Sequence, residues 1–210
     1  MDYDILLAFD LATAALAISP GPDNIFVLIQ SMVHGKKYGI ATIAGLMTGC
    51  LVHATLLAFG VSALIKQNPN VYFSIKLFGA LYMFYLALKV LISSSELNLS
   101  NGNGNTEKKT LTDLYKKGFI MNVLNPKVTI FFLAFFPGFL FSHFLNIVIQ
   151  FYVLAVIFIL VSATVFIAIA ILAGSISKYI REHGQSGKIL KWLQIIVFVA
   201  IAVYLLLSDK

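Results

Sequence analysis

Charge is scarce in this chain, and cysteine is scarcer still. Asp, Glu, Lys and Arg make up 11% of the 210 residues and hydrophobic residues 60%, which leaves too little polar surface for a soluble globule of this length. The one cysteine, Cys50, sits inside an apolar run. That excludes a disulfide framework, a thiolate metal cluster and a CxxC redox pair. His34, His143 and His183 fall at predicted loop ends with no metal-ligand spacing to one another or to carboxylates, so they read as surface residues and no metal is expected. No GxSxG, HExxH or phosphate-cradling glycine motif occurs, and no helix face sets a nucleophile beside a base. Neither enzymatic activity nor a cofactor is expected.

What the chain has instead is long apolar runs. A helix crossing about 30 Å of hydrocarbon needs roughly 20 apolar residues, so this length holds about six crossings with short connections. Their expected positions are Ile5 to Val33, Tyr38 to Ile65, Val71 to Ile92, Leu111 to Phe141, Asn146 to Ala173 and Lys188 to Leu207. The start, Met1-Asp2-Tyr3-Asp4, lacks a basic n-region, so the first segment is expected to be retained rather than cleaved. The net charge of +6 comes from cations lying between apolar runs, not on a basic face, and nucleic acid is not an expected partner. With alternating crossings, Lys36, Lys37, Lys89, Lys108, Lys109, Lys116, Lys117, Lys178, Arg181, Lys188 and Lys191 fall on one side. Positive loops stay in the cytoplasm, which sets both termini outside and the Asn-, Gly- and Ser-rich stretch from Ser93 to Asn105 inside, as a linker between halves.

The first and fourth segments are unusually long, and each is interrupted at a comparable depth. The interruptions are Ser19-Pro20-Gly21-Pro22-Asp23-Asn24 and Asn122-Val123-Leu124-Asn125-Pro126-Lys127. Proline removes a backbone donor and clashes with the preceding turn, so both sites should unwind and free polar backbone groups. Two halves of three helices run in opposite directions, and matched broken helices in such repeats point to a transporter's substrate site. The expected fold is an all-α membrane protein with six transmembrane helices, arranged as two inverted three-helix repeats with broken first and fourth helices. It forms one transporter domain over 1–210, with repeat one at 1–92, a cytoplasmic linker at 93–110 and repeat two at 111–210.

An ion inside hydrocarbon costs several kcal/mol unless it is paired or wetted. Asp23 and Lys127, each beside a break, therefore either pair with each other or bind the ammonium and carboxylate of a zwitterion. Pro20, Gly21, Pro22, Asp23, Asn24, Asn125, Pro126 and Lys127 are the candidate substrate-binding residues, and Asp23 is also a candidate proton carrier. Asn24 and Asn125 alternatively cap broken helix ends. Ala41, Gly45, Gly49 and His53 recur every four residues on one helix face, the small ones suited to close packing. His53 is a second candidate for a proton relay, with a packing role as the alternative. Lys76, Gly79 and Tyr82 share a face, and Lys76 is expected to snorkel to the outer interface.

At these residues the chain resembles a known family. Ser19-Pro20-Gly21-Pro22-Asp23-Asn24, followed by His34-Gly35, Gly39, Gly45, Gly49 and His53, is similar to the first half of the LysE/RhtB amino-acid exporters. Lys76 to Tyr82 resembles that family's third-helix pattern, and Gly118 to Lys127, continuing through Phe131, Phe132 and Pro137, resembles its fourth-helix signature. The resemblance covers essentially the whole chain. It implies a six-helix translocator of the bacterial inner membrane that exports small neutral or basic amino acids, driven by a coupling proton or the membrane potential, as a monomer or a homodimer. Members often carry Asp where this chain has Cys50, which leaves Asp23 as the one acid expected deep in the bilayer. Export of another small solute or a metal cation on a related fold is the alternative. A thiol redox role and a non-transporting structural subunit fit less well, for want of a second cysteine and because both breaks carry charge.

Overall fold

The computed structural model describes residues 3–61, 69–93, 110–142, 144–182 and 186–207, and every regular element among them is helical. In chain order these are α1 (Tyr3–Ile18), α2 (Pro22–Val33), α3 (Lys36–Thr55), α4 (Pro69–Ile92), α5 (Leu111–Val123), α6 (Pro126–Ile130), α7 (Ile147–Ile171), α8 (Ala173–Glu182) and α9 (Ser186–Leu207). α3 runs on as a π-helical turn, Leu56–Val61, and α6 as a π turn, Phe131–Phe135, and a 3-10 turn, Phe136–Phe139. Among the described residues four helices are long and apolar enough to cross a membrane, and six crossings result if each bent pair counts as one. The bends are 60° between α1 and α2, and 49° between α5 and the helix that runs Pro126–Phe139.

The surface is built for a hydrocarbon solvent. Phe78 is 72% exposed and Leu160 62%, whereas the amides of Asn122 and Gln150 are 3% and 1% exposed. Lipid gives apolar side chains little reason to leave the surface, so helices associate through close packing of small residues and internal polar contacts. α3 against α5 shows this directly. A Cβ added to Gly45 would collide with the backbone oxygen of Tyr115, one on Gly118 with that of Thr42, and one on Gly49 would lie 2.7 Å from Asn122 Oδ1. Residue numbers rise together along this contact, so α3 and α5 run parallel. α2 reaches α3 through Gly35, whose φ of 99° is the left-handed conformation that glycine adopts without a Cβ clash. α2 therefore runs against α3, and the first broken crossing runs opposite to the second.

A cluster of phenylalanines runs through the rest of the core, among aliphatic and small residues. The π turn brings Phe131 over Phe135 at 4.4 Å between ring centroids and Phe132 over Phe136 at 4.1 Å, while Phe9 meets Phe136 edge-on at 5.0 Å. Gln150 holds the reversal before α7: its Oε1 accepts from the N–H groups of Phe141 and Ser142, and its Nε2 donates to the carbonyls of Ser142 and Leu145. Asn146 caps α7 at the N–H of Val148, and Thr110 with Asp113 forms a reciprocal capping box at α5.

Helix positions follow the sequence reading, with three differences. Residues expected to be a loop after the fifth crossing form α8, which is amphipathic and so is suited to lie along an interface. Lys76, expected to snorkel, is 8% exposed and thus buried within the bundle. The second and fourth crossings contain π and 3-10 turns rather than continuous α-helix. The end of the second expected segment, most of the linker (94–109), His143 and His183 lie outside the described residues.

Gly45→Val and Gly118→Val should each lower the thermal unfolding midpoint of the purified protein, at a cost of at least about 1–3 kcal/mol from overpacking against backbone. Gly60→Ala, where an added Cβ meets nothing within 4 Å, should leave it nearly unchanged. Equal midpoints for all three in detergent would contradict the packing described.

Candidate functional site

Both breaks follow from local chemistry. α1 ends at Ile18, and α2 starts with Pro22 in its first turn, where a missing N–H costs nothing. α5 ends at Val123, and α6 starts with Pro126 behind Asn125, whose side-chain oxygen accepts from the Lys127 N–H at 3.0 Å. Such ends leave orphaned carbonyls on one side and orphaned N–H groups on the other.

The two breaks meet, and each supplies what the other lacks. Asn125 Nδ2 donates to Asp23 Oδ2 at 2.8 Å. Lys127 Nζ donates to the carbonyls of Leu16 and Ser19 at 3.3 and 3.4 Å and lies 5.2 Å from the Phe198 ring centroid. Asn24 Nδ2 donates to the Ala17 carbonyl at 2.7 Å. A cation thus lies at the negative end of α1 and a carboxylate in the first turn of α2, the placement that helix dipoles favour. Asp23 and Lys127 do not form a direct ion pair: the carboxylate goes to an amide and the ammonium to main-chain carbonyls. Both bonds to Lys127 are long, and an ammonium has three donors.

A cavity opens between the breaks. Gly21, Pro22, Asp23, Asn24, Asn125 and Lys127 line it, together with Asn122, Cys50 and Ser162. Apolar walls come from Leu16, Leu46, Phe158 and Phe166. The space open to the centre of a water molecule is about 40 Å³, enough for a few waters. Of the residues expected at the site, Pro20 faces an apolar groove with Ile25, Leu28 and Val165, and Pro126 is exposed at the start of α6. His53 is buried outside the cavity lining, its Nε2 3.1 Å from the Asn122 carbonyl and its ring against Phe132. Since a carbonyl only accepts, His53 donates through Nε2.

Sequence reasoning missed Ser162, an isolated hydroxyl in an apolar run, and did not assign Asn122 to the site although it lies in the second motif. Asp10 is a second acid within the first crossing: it lies in α1, half-buried, with Oδ1 lacking a hydrogen-bond partner among the described residues. Among the described residues no three of His, Cys, Asp and Glu converge as metal ligands do.

The family model for LysE type translocators matches residues 14–209. The chain belongs to this family. This LysE-type translocator is 27% identical over 197 residues to the leucine efflux protein of Klebsiella pneumoniae, covering 93% of this chain and 92% of that one. It is 32% identical over 156 residues to an uncharacterized membrane protein of Pseudomonas aeruginosa, covering 73% and 72%. No solved structure matches it. Family and helices together make it a multi-pass membrane protein.

The bond between the breaks sets an energetic expectation. In a double-mutant cycle with Asp23→Ala and Asn125→Ala, the two positions should couple by about 1.5–3 kcal/mol, the usual range for a buried hydrogen bond to a charged group. Chemical unfolding in detergent measures it, and additive effects would mean that the bond does not form.

Proposed function

We propose that this translocator exports small neutral or basic amino acids across the bacterial inner membrane by secondary active transport, and that the cavity between the breaks is where the substrate binds. One observation carries this reading. A carboxylate and an ammonium flank one cavity without neutralising each other, and each is held by groups that a zwitterion can replace. Asp23 receives the substrate ammonium in place of the Asn125 amide, and Lys127 gives up long bonds to carbonyls for the substrate carboxylate. Asn24, Asn122 and Asn125 supply further amide contacts, and Leu16, Leu46, Phe158 and Phe166 receive an apolar side chain, which accords with the kinship to a leucine efflux protein. Such a donor set suits a zwitterion better than a metal cation, which calls for several converging acids, histidines or thiolates.

The same geometry supports the inverted-repeat reading. Exchanging the halves maps the pair α3 with α5 onto the pair α7 with the first broken crossing, and maps α4 with α9 onto itself, and all of these pairs are in contact. The opposite run of the two broken crossings fits this relation. Exposed Lys36, Lys37, Lys116, Lys117 and Lys178 gather at one end, which by the positive-inside rule is cytoplasmic and sets both termini outside. Asp23 carries the coupling proton in this scheme. His53 holds the Asn122 carbonyl and thereby positions an amide of the cavity wall. A space of about 40 Å³ is too small for an amino acid, so the cavity widens on binding.

Cells loaded with amino acids through dipeptide feeding should release them faster when they express the protein, and Asp23→Asn and Lys127→Ala should each abolish that release while the protein still inserts. Cys50, the chain's only cysteine, reports binding independently, since an exported amino acid should slow its reaction with a small methanethiosulfonate. Normal export by both variants, or a Cys50 reaction rate indifferent to every amino acid, would overturn the assignment.

A further inference from the structure

Seven buried side-chain oxygens have no hydrogen-bond partner among the described residues, and their placement is not random. Asn122 and Ser162 line the cavity, while the other five, on Asp10, Thr13, Ser19, Gln30 and Ser31, all belong to the first broken crossing. Thr13 and Ser19 are fully buried, and Gln30 and Ser31 are 5% and 6% exposed. At 100° per residue, Asp10, Thr13 and Ala17 fall within about 60° on α1, and Asp23 and Gln30 within about 20° on α2. Ala17 and Asp23 both line the cavity. Asp10, Thr13 and Gln30 thus continue the cavity's wall in both directions, reaching about 10 Å toward each end of the crossing, whereas Ser31 lies about 100° around from Gln30 and packs against Gly39 of α3.

Buried polar atoms are almost always satisfied, and a run of exceptions on one face calls for an aqueous partner. A crossing that served only for packing would carry apolar residues at Asp10, Thr13 and Gln30. We propose that this face of the first broken crossing lines the water-filled route through the protein, with Gln30 on the cytoplasmic approach and Thr13 and Asp10 on the outward one. Asp10 is a second acidic station, taking the substrate's ammonium as it leaves Asp23. This assignment rests on the substrate site proposed above. The aromatic ring of Phe9 marks the depth of Asp10, packed on Phe136 and Phe139 near the outer end of the second broken crossing.

Two measurements test the route. Thr13→Cys in a Cys50→Ala background should react with a membrane-impermeant trimethylammonium methanethiosulfonate at least about tenfold faster than Leu11→Cys. Leu11 is 65% exposed on the surface that faces lipid. Equal or absent labelling of both, applied from outside and in inside-out vesicles, would overturn the proposal. Asp10→Asn in the otherwise native chain should slow export by about tenfold or more, while amino acid still protects Cys50 from modification. Unimpaired export by Asp10→Asn, or loss of that protection, would remove Asp10 from the outward route. Failure of protection in the native protein would instead refute the substrate site and leave the labelling of Thr13→Cys as an independent result.

Discussion

A helix interrupted inside a bilayer must find partners for the backbone groups it frees, because lipid offers none. Here carbonyls freed at the first interruption take partners from the second. Lys127 caps carbonyls at the end of α1, Asn125 binds the acid that begins α2, and His53 binds the Asn122 carbonyl near the end of α5. The first break is thus satisfied in part by the second, and the bond between Asn125 and Asp23 ties the two together. The same exchange keeps charge and amides at one place in an otherwise apolar protein and leaves space between them.

Close packing holds that meeting in position. Gly45 and Gly118 let α3 and α5 approach to backbone distance, and Gly49 lies against Asn122 where α5 ends. The phenylalanines of the π turn then fill the side of the second break away from α5, stacking on one another and meeting Phe9 of α1 edge-on. A wide π turn after α6 shifts the phase of the following side chains, which lets consecutive aromatic pairs face the core. The small-residue seam and the aromatic cluster therefore fix the two breaks from opposite sides, and the bundle tolerates a polar cavity at its centre.

Much of this was legible beforehand. Proline acts locally, so Pro20, Pro22 and Pro126 mark the breaks within a few residues, and the glycine stripe of α3 announces a close neighbour. Lipid spans are equally plain, since a charge-free run of sufficient length has few alternatives. Partners across long sequence distances were not legible. Nothing near Lys127 says that its ammonium reaches carbonyls 108 and 111 residues earlier rather than the carboxylate of Asp23. Ser162, Gln150 and Asp10 escaped notice because one polar residue in an apolar run gives no periodicity, and its meaning depends on what packs against it.

The LysE-type family brings a translocator's identity, and the cavity is the place proposed for its action. The central claim is that both interruptions together form the seat of the substrate. Its most direct test is a high-resolution structure of the protein in a lipid nanodisc with an exported amino acid bound. The account predicts the substrate between Asp23 and Lys127, its ammonium toward the first and its carboxylate toward the second. An amino acid seated elsewhere, as in the apolar groove beside Pro20, or interruptions that stand apart in the bilayer, would contradict it.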